Sequence, residues 1–560
     1  MKSIIVKVGL LTCFVFLGCS FKEAFADMTM SWPSKCSSYG EVIPNQNPSP
    51  QHMNCLLTNA ALEAKIPPEV VKAVASKESG WRQFDQNGQP VVTQDSGIGI
   101  MQITNQSNYD QQRLKEDIYY NIQAGVETLV SMYNRIDLPK IKDVGSDVIE
   151  NWYFPVMAYN GTKPVNSPLF QTDGSKNTNA YQEKVFALLE QDSFLQDTKL
   201  GLYPFNTVDF EYQTGSNENI VFKKMEYTLT DQMHASNYFF QTGDKVSVTT
   251  DGVKLRSQPS STSSILKILG KNTGLIIDGD FKYDQTLGSI NQFVWYPVKT
   301  EDQKLAGYIS SAYITKKLDL PSVNPLDDND LFLTGKAPAN VKIQIMKGTT
   351  LIGSTVADAN GFFKAGIPIQ KAGTQLSVAY KDNLNALSPS STITAADKTA
   401  PLAPIVNTVT NKSTIISGKT EVNAMVTVAI AGKTYTAKAD RYGNYKIGIQ
   451  VQNTGTTISI IAKDGAGNVS QVRKTTIVRE APNVPTVNAV NTKTTAVTGK
   501  TEKNANVVIT IGKKIYTAKA NANGDYKVLI PKQRAGTKIY VIAKDARGKV
   551  SAIRTVSVLK

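Results

Sequence analysis

Five hundred and sixty residues, 41% hydrophobic and 19% charged, are ordinary globular material, and at roughly 100–200 residues per domain they divide into about four or five folded units. The formal net charge is +14, and only two histidines, His52 and His234, and four cysteines, Cys13, Cys19, Cys36 and Cys55, are available for metal or nucleophile chemistry. A zinc site recruits clustered histidines, and a serine or cysteine hydrolase needs a histidine beside its nucleophile, so a catalyst built from this chain runs on carboxylates, with no metal and no cofactor expected.

At the N-terminus, Lys2 and Lys7 accompany an apolar run from Ile4 to Leu17, which is shorter than the roughly 20 residues of a membrane-spanning helix. The pattern predicts a secretory signal over 1–26, cut after Ala24-Phe25-Ala26, and a secreted, cell-wall associated chain beginning at Asp27 with no stable membrane span. The alternative is a lipoprotein cut before Cys19, since Leu17-Gly18-Cys19 partly matches such a site. Cutting at Ala26 leaves only Cys36 and Cys55, which in an oxidising compartment are expected to form a disulfide; two free buried thiols are the other reading. A bridge across a loop of about 20 residues contributes on the order of 3 kcal/mol.

From 27 to 196 the pattern is helical. Pro67-Pro68-Glu69-Val70-Val71 starts a helix with proline in its first turn, and Val70, Val71, Val74 and Ala75 form an apolar stripe. Glu78 falls at the end of that helix, followed by Ser79-Gly80-Trp81. Then come Ser96 to Ile103 with Ile100-Met101-Gln102, Asn121-Ile122-Gln123-Ala124-Gly125, Ala158-Tyr159-Asn160-Gly161, and Tyr181 with Val185. These motifs, in this order and spacing, resemble the soluble lytic transglycosylase domain, a relative of goose-type lysozyme with an α-helical lysozyme-like fold. The resemblance implies that Glu78 is the catalytic acid. It further implies that Ser79 orients the carboxyl or the glycan, that Met101 and Gln102 line the sugar cleft, and that Tyr159 and Asn160 stand near the acid. Two positions depart from the family pattern: Asn160 is followed directly by Gly161 without an intervening alanine, and Gly97 stands where alanine is frequent. The residues themselves allow that chemistry, because a carboxylic acid stays protonated near neutrality in apolar surroundings, which Trp81, Ile100, Met101 and Tyr159 are expected to supply. A two-carboxylate glycosidase needs a second acid, and Asp85 and Asp95 are nearest in sequence.

A linker is expected over 197–242. From 243 to 320, Val253 to Pro259, Trp295-Tyr296-Pro297-Val298 and Gly307 to Ser311 resemble the bacterial SH3 domain, which implies a small β-barrel and binding of wall peptide or glycan; Trp295 and Tyr308 read equally well as core. Beyond it, Gly335-Lys336, Gly418-Lys419 and Gly499-Lys500 recur together with Asn360-Gly361-Phe362, Tyr442-Gly443-Asn444 and Asn523-Gly524-Asp525. A step near 80 residues is a domain repeated three times. The copies, over 321–398, 399–480 and 481–560, resemble bacterial immunoglobulin-like domains, which implies all-β sandwiches resting on apolar packing alone. The whole is read as a multidomain protein: a lysozyme-like catalytic domain, an SH3-like barrel and three sandwiches.

Charge is unevenly placed. Residues 402–480 hold ten Lys and Arg against four Asp and Glu, and 481–560 hold fifteen against three, so these stretches carry +6 and +12 and leave about −4 for the rest. A basic surface on a secreted chain seeks an anionic neighbour; teichoic acid or another anionic wall polymer fits, nucleic acid is not expected, and the bland alternative is solubility. The combined reading is a secreted enzyme that breaks the β-1,4 bond between MurNAc and GlcNAc in peptidoglycan glycan strands and leaves 1,6-anhydro-muramic ends. A hydrolytic muramidase and a non-catalytic wall-binding adhesin are the alternatives.

Overall fold

A computed structural model describes residues 30–104, 106–191 and 199–560. The expected signal over 1–26, with Cys13 and Cys19, lies outside the described residues, as does the expected boundary at 196–197. Among the described residues no helix is long and apolar enough to cross a membrane. The chain separates into two compact units: residues up to 323 with 334–366 and 377–392, and residues 324–333 and 367–376 with 393–560.

The first unit begins with six α-helices: α1 (Pro50–Glu63), α2 (Pro68–Ser79), α3 (Gln111–Glu116), α4 (Ile118–Asn134), α5 (Tyr153–Asn160) and α6 (Tyr181–Gln191). Local chemistry sets several ends. Ser49 caps α1 by accepting from the His52 amide, Asp117 caps α4 by accepting from Tyr120, and Gly80 closes α2 in the left-handed conformation at φ 64°. The stripe Val70, Val71, Val74 and Ala75 is wholly buried, with α2 packed against α1 and α6. A 3-10 helix, Trp32–Tyr39, is tied to α1 by a bond between Cys36 and Cys55, S–S 2.06 Å.

The segment read as a linker, 197–242, is no free tether. Leu200, Phe210, Ile220, Tyr227, Leu229 and Met233 enter the same core as the helices, and Tyr203, Phe205 and Phe222 pack on Phe154 of α5. Buried Glu150 accepts from the amides of Gly201 and His234 and lies 2.7 Å from the His234 ring Nδ1, pinning both ends of the segment. Its aromatic residues are spread irregularly between polar ones, so no helical or strand periodicity announces that they are core.

Residues 245–316 form one eight-stranded sheet. Its longest strand, Val294–Thr300, pairs antiparallel with Ala306–Ser310 and with Gly274–Ile277. Val246, Leu255, Leu275, Ile277, Val294, Tyr296 and Ile309 are fully buried. Trp295 is buried and Tyr308 half-buried. The sheet is joined to the helices through a hydrogen-bonded seam: Asn59 Nδ2 donates to Tyr283 Oη at 2.8 Å, and Gln51 Nε2 donates to the carbonyl of the adjoining Asp284 at 2.7 Å.

In the second unit the copies are built alike. Residues 405–477 pair Ile415–Lys419 with Ile405–Val406 and Asn444–Gly448, and separately order four antiparallel strands, Lys433–Lys438, Met425–Ile430, Thr457–Lys463 and Arg473–Thr476. Residues 496–557 repeat the four-stranded sheet with Lys514–Lys519, Asn506–Ile511, Lys538–Lys544 and Arg554–Ser557. Alternation sends Val426, Val428, Ile458 and Ile460, and Val507, Ile509, Ile539 and Val541, into dry cores. The recurring Gly-Lys has a steric cause: a Cβ at Gly418 or Gly499 would lie 1.9 Å from the carbonyl oxygen of Ile405 or Thr486. Those same carbonyls accept from the hydroxyls of Tyr445 and Tyr526.

Candidate active site

Helix α2 delivers Glu78 at its last turn, where the chain leaves through Gly80 and Trp81. The loop 91–104 faces it and is held by buried amides. Gln83 Oε1 accepts from the Ile100 amide at 2.9 Å, while Asn121 Oδ1 accepts from Met101 at 3.0 Å and Asn121 Nδ2 donates to the carbonyls of Ile98 and Leu114. Gly125 completes the motif, because a Cβ there would lie 2.5 Å from the Met101 side chain. Ser79 Oγ donates to the Ile100 carbonyl at 2.9 Å and accepts from the Arg82 amide at 3.0 Å, fastening the helix end to the loop.

Tyr159, near the end of α5, donates to the Met101 carbonyl at 2.6 Å, and Tyr181, at the start of α6, donates its hydroxyl to Glu78 Oε1. Glu78 is thereby gripped at one oxygen by a neutral phenol. Burial pushes its pKa up to about 7; the bond from Tyr181 and the charge of Lys77 pull down, and the Asp95 carboxylate pushes up again. Burial first, then Glu78 itself, holds both Tyr159 and Tyr181 well above the ordinary tyrosine range, so both remain hydroxyl donors. The result is a carboxyl poised between its two protonation states at neutrality, with Tyr181 on Oε1.

The expected site residues thus fall into different places. Tyr159 sits on the Met101 carbonyl within electrostatic reach of Glu78, whereas other expected residues take different places. Met101 is fully buried against Gly125, so its backbone carbonyl rather than its thioether serves the site. Gln102, at φ 49°, turns its amide inward: Nε2 donates to Gly99 at 2.7 Å and Oε1 accepts from Thr93 Oγ1 at 2.8 Å, which clamps the loop instead of lining an open cleft. Trp81 points away, its indole donating to the Lys72 carbonyl at 2.9 Å. Asn160 is exposed and accepts from Asn166 at 3.1 Å, and the backbone after it turns through Gly161 at φ 108°. Of the acids considered as partners, Asp85 accepts from the amides of Asn87 and Gln89 and so builds a turn, whereas Asp95 is the one whose charge reaches Glu78. Tyr181 was visible as a motif residue, but only the fold shows it on the carboxyl, 103 residues away in sequence.

Residues 56–182 match the family described as Transglycosylase SLT domain, and 319–397, 400–478 and 481–559 each match the family described as Bacterial Ig domain. The chain therefore carries a transglycosylase SLT domain and three bacterial Ig-like repeats. A curated relative, a cell wall-associated protease of Bacillus subtilis (strain 168), is 34% identical over 150 residues, which is 26% of this chain and 17% of that protein. The matched stretch thus spans under a fifth of the relative's length. Among solved structures, a 1.5-MDa bacterial ice-binding adhesin matches at TM-score 0.18 and 19% identity, covering 43% of this chain and 96% of that one. A two-domain fibronectin type-III segment of chicken tenascin matches at TM-score 0.20 and 13% identity, covering 29% and 100%. At such scores the structural likenesses carry no argument.

Proposed function

We propose that the protein is a secreted, cell-wall associated enzyme that cleaves the β-1,4 bond between MurNAc and GlcNAc in peptidoglycan, with Glu78 as general acid and then general base. The observation that carries this reading is the Glu78 carboxyl, raised to about 7 by burial and held at Oε1 by Tyr181. Near neutrality a large fraction of such a group is protonated and delivers a proton to the glycosidic oxygen as the C–O bond breaks. The substrate's N-acetyl carbonyl assists at the anomeric carbon. The resulting carboxylate then takes the proton of the muramic C6 hydroxyl, whose oxygen closes the 1,6-anhydro ring. No water enters, and Glu78 ends the cycle protonated.

Hydrolysis is the second reading. It is favoured by Asp95, an exposed carboxylate whose charge acts on Glu78 and which would orient a water in the manner of a two-carboxylate glycosidase. Mass analysis of digested peptidoglycan separates the outcomes: anhydro-muramic ends support the first reading, reducing muramic ends the second, and no release from wild type removes both in favour of a wall-binding adhesin. The eight-stranded sheet is read as an SH3-like barrel. The exposed lysines of 402–560 are read as contacts for teichoic acid or another anionic wall polymer.

A further inference from the structure

On the face of α2 away from Glu78, a cavity of about 400 Å³ lies between the helices and the eight-stranded sheet. Its wall includes Met53, Ser76, Gly80, Trp81, Arg82 and Ile290. Ser76 is two residues before Glu78 on α2, and two helical steps carry a side chain roughly 200° around the axis, so cavity and carboxyl share one helix end but not one face.

The cavity is a constructed feature. The chain from Asp284 to Gln292, which leaves the sheet to form one wall, is seated on the helices by four bonds. Gln51 Nε2 donates to the carbonyls of Asp284 and Thr286 at 2.7 and 2.8 Å, Asn54 Nδ2 to Asn291 at 3.1 Å, and Lys72 Nζ to Gln292 at 2.9 Å. Within that chain the Asp284 carboxylate accepts from Ser289 and Asn291, shaping a tip that holds Ile290 out at 77% exposure. On the opposite wall, closure of α2 requires a left-handed residue only at Gly80, yet Trp81 adopts that conformation as well, at φ 62°. For a bulky residue this is strained, and the strain is held by the bond from the indole to Lys72. Its effect is to lay an aromatic ring along the cavity. Arg82 is the one ionisable lining residue, exposed, with Nε donating to the Ser79 carbonyl at 3.0 Å and its two terminal amino groups without a partner among the described residues.

A concave wall that mixes apolar side chains with the polar Asn47, Ser76 and Gln292, and that carries one guanidinium with its terminal amino groups exposed, fits a short peptide bearing a carboxylate. We propose that this cavity binds the acidic peptide that branches from the glycan strand. Arg82 pairs with a peptide carboxylate, while Trp81, Met53 and Ile290 take its apolar groups. The inference rests on the peptidoglycan reading of Glu78. Cavity and carboxyl adjoin at the end of α2, where only four positions separate Glu78 from the lining residue Arg82. Gly80, exposed and without a side chain, leaves the helix end low between the two faces.

The test titrates the full secreted chain by calorimetry with N-acetylmuramyl-L-alanyl-D-glutamate and with its bis-amide. The acid is expected to bind at least tenfold more tightly than the amide. Arg82→Gln is expected to remove that difference, and Ile290→Asp, on an exposed loop tip, to weaken the acid about tenfold by opposing its charge. Equal affinity for acid and amide, or affinities that neither variant changes in a folded protein, overturns the proposal. Binding that follows the sugar rather than the peptide does so too. Glycan release from peptide-stripped walls is measured separately: its absence in wild type removes the catalytic reading, while the titration still decides the cavity.

Discussion

In the helical region Glu69, Lys72 and Glu150 are buried, whereas between 402 and 560 every lysine is exposed and the two cores hold aliphatic side chains and tyrosines. Ionic contacts of the repeats such as Lys500 with Asp525 at 3.1 Å and Lys412 with Glu502 at 3.0 Å sit at the surface, although Asp545 opposite Arg479 is buried. The helices keep ionisable groups where burial perturbs them. Burial lowers the Lys72 ammonium against the pull of Glu69, and it raises Glu78. Such groups cost stability and persist where geometry over-determines them, which is the mark of a site, whereas the repeats are built as a cohesive scaffold whose charge is available to partners.

The sharpest break in this comparison is Glu78→Gln. The amide keeps the shape and cannot donate the acid proton, so wall clearing is expected to fall by at least about 10²–10⁴-fold, while sedimentation with walls is unchanged. Turbidity loss measures it, and activity within a few-fold of wild type breaks the assignment. Next is Ile460→Ala, which opens the dry core of a repeat and is expected to cost that unit about 2–5 kcal/mol. The rate on soluble glycan should stay as in wild type. Denaturant unfolding and a soluble-substrate assay together check whether scaffold and site are separable.

The third effect links the two roles of Glu78. Its folded pKa lies above the ordinary carboxylate value, so the folded state binds the extra proton between about 4.5 and 7, and stability falls as pH rises through that window. Glu78→Gln is therefore expected to be more stable than wild type at pH 8 by about 3 kcal/mol, and wild-type activity to fall above about pH 7. Equal melting temperatures for the two proteins at pH 8 would contradict this. Tyr181→Phe is a smaller change. Its hydroxyl lowers the Glu78 pKa, so removing it should move the alkaline limb of the pH–rate profile upward and slow the neutral rate about tenfold. A loss without a shift in the profile would make Tyr181 only structural.

The smallest expected effect concerns the scaffold. Attraction between the 402–560 lysines and wall polymer is screened over about 10 Å at 0.1 M salt, so wall binding by the full chain should weaken steadily with salt and on extraction of teichoic acid. A chain ending at 401 should respond less to both. Salt-independent binding returns those lysines to solubility and to guarding sheet edges, where Lys433, Lys438, Lys514 and Lys519 stand at the ends of edge strands.

Much of this protein was readable along the chain because its signals are local. The repeat step, the alternating strands and the glycine motifs follow from sterics within one copy, as the carbonyls facing Gly418 and Gly499 show. The end of α2 at Gly80 and the buried stripe from Val70 to Ala75 follow from helical period and capping. What pairs distant residues was decided only by the tertiary structure. Tyr181 reaches Glu78 across 103 residues, the Gln102 side chain turns inward because Thr93 and Gly99 lie there, and residues 200–233 join the core by filling space around Phe154. A motif names which residues converge, but a carboxyl's pKa depends on what surrounds it in space, and no local period encodes that.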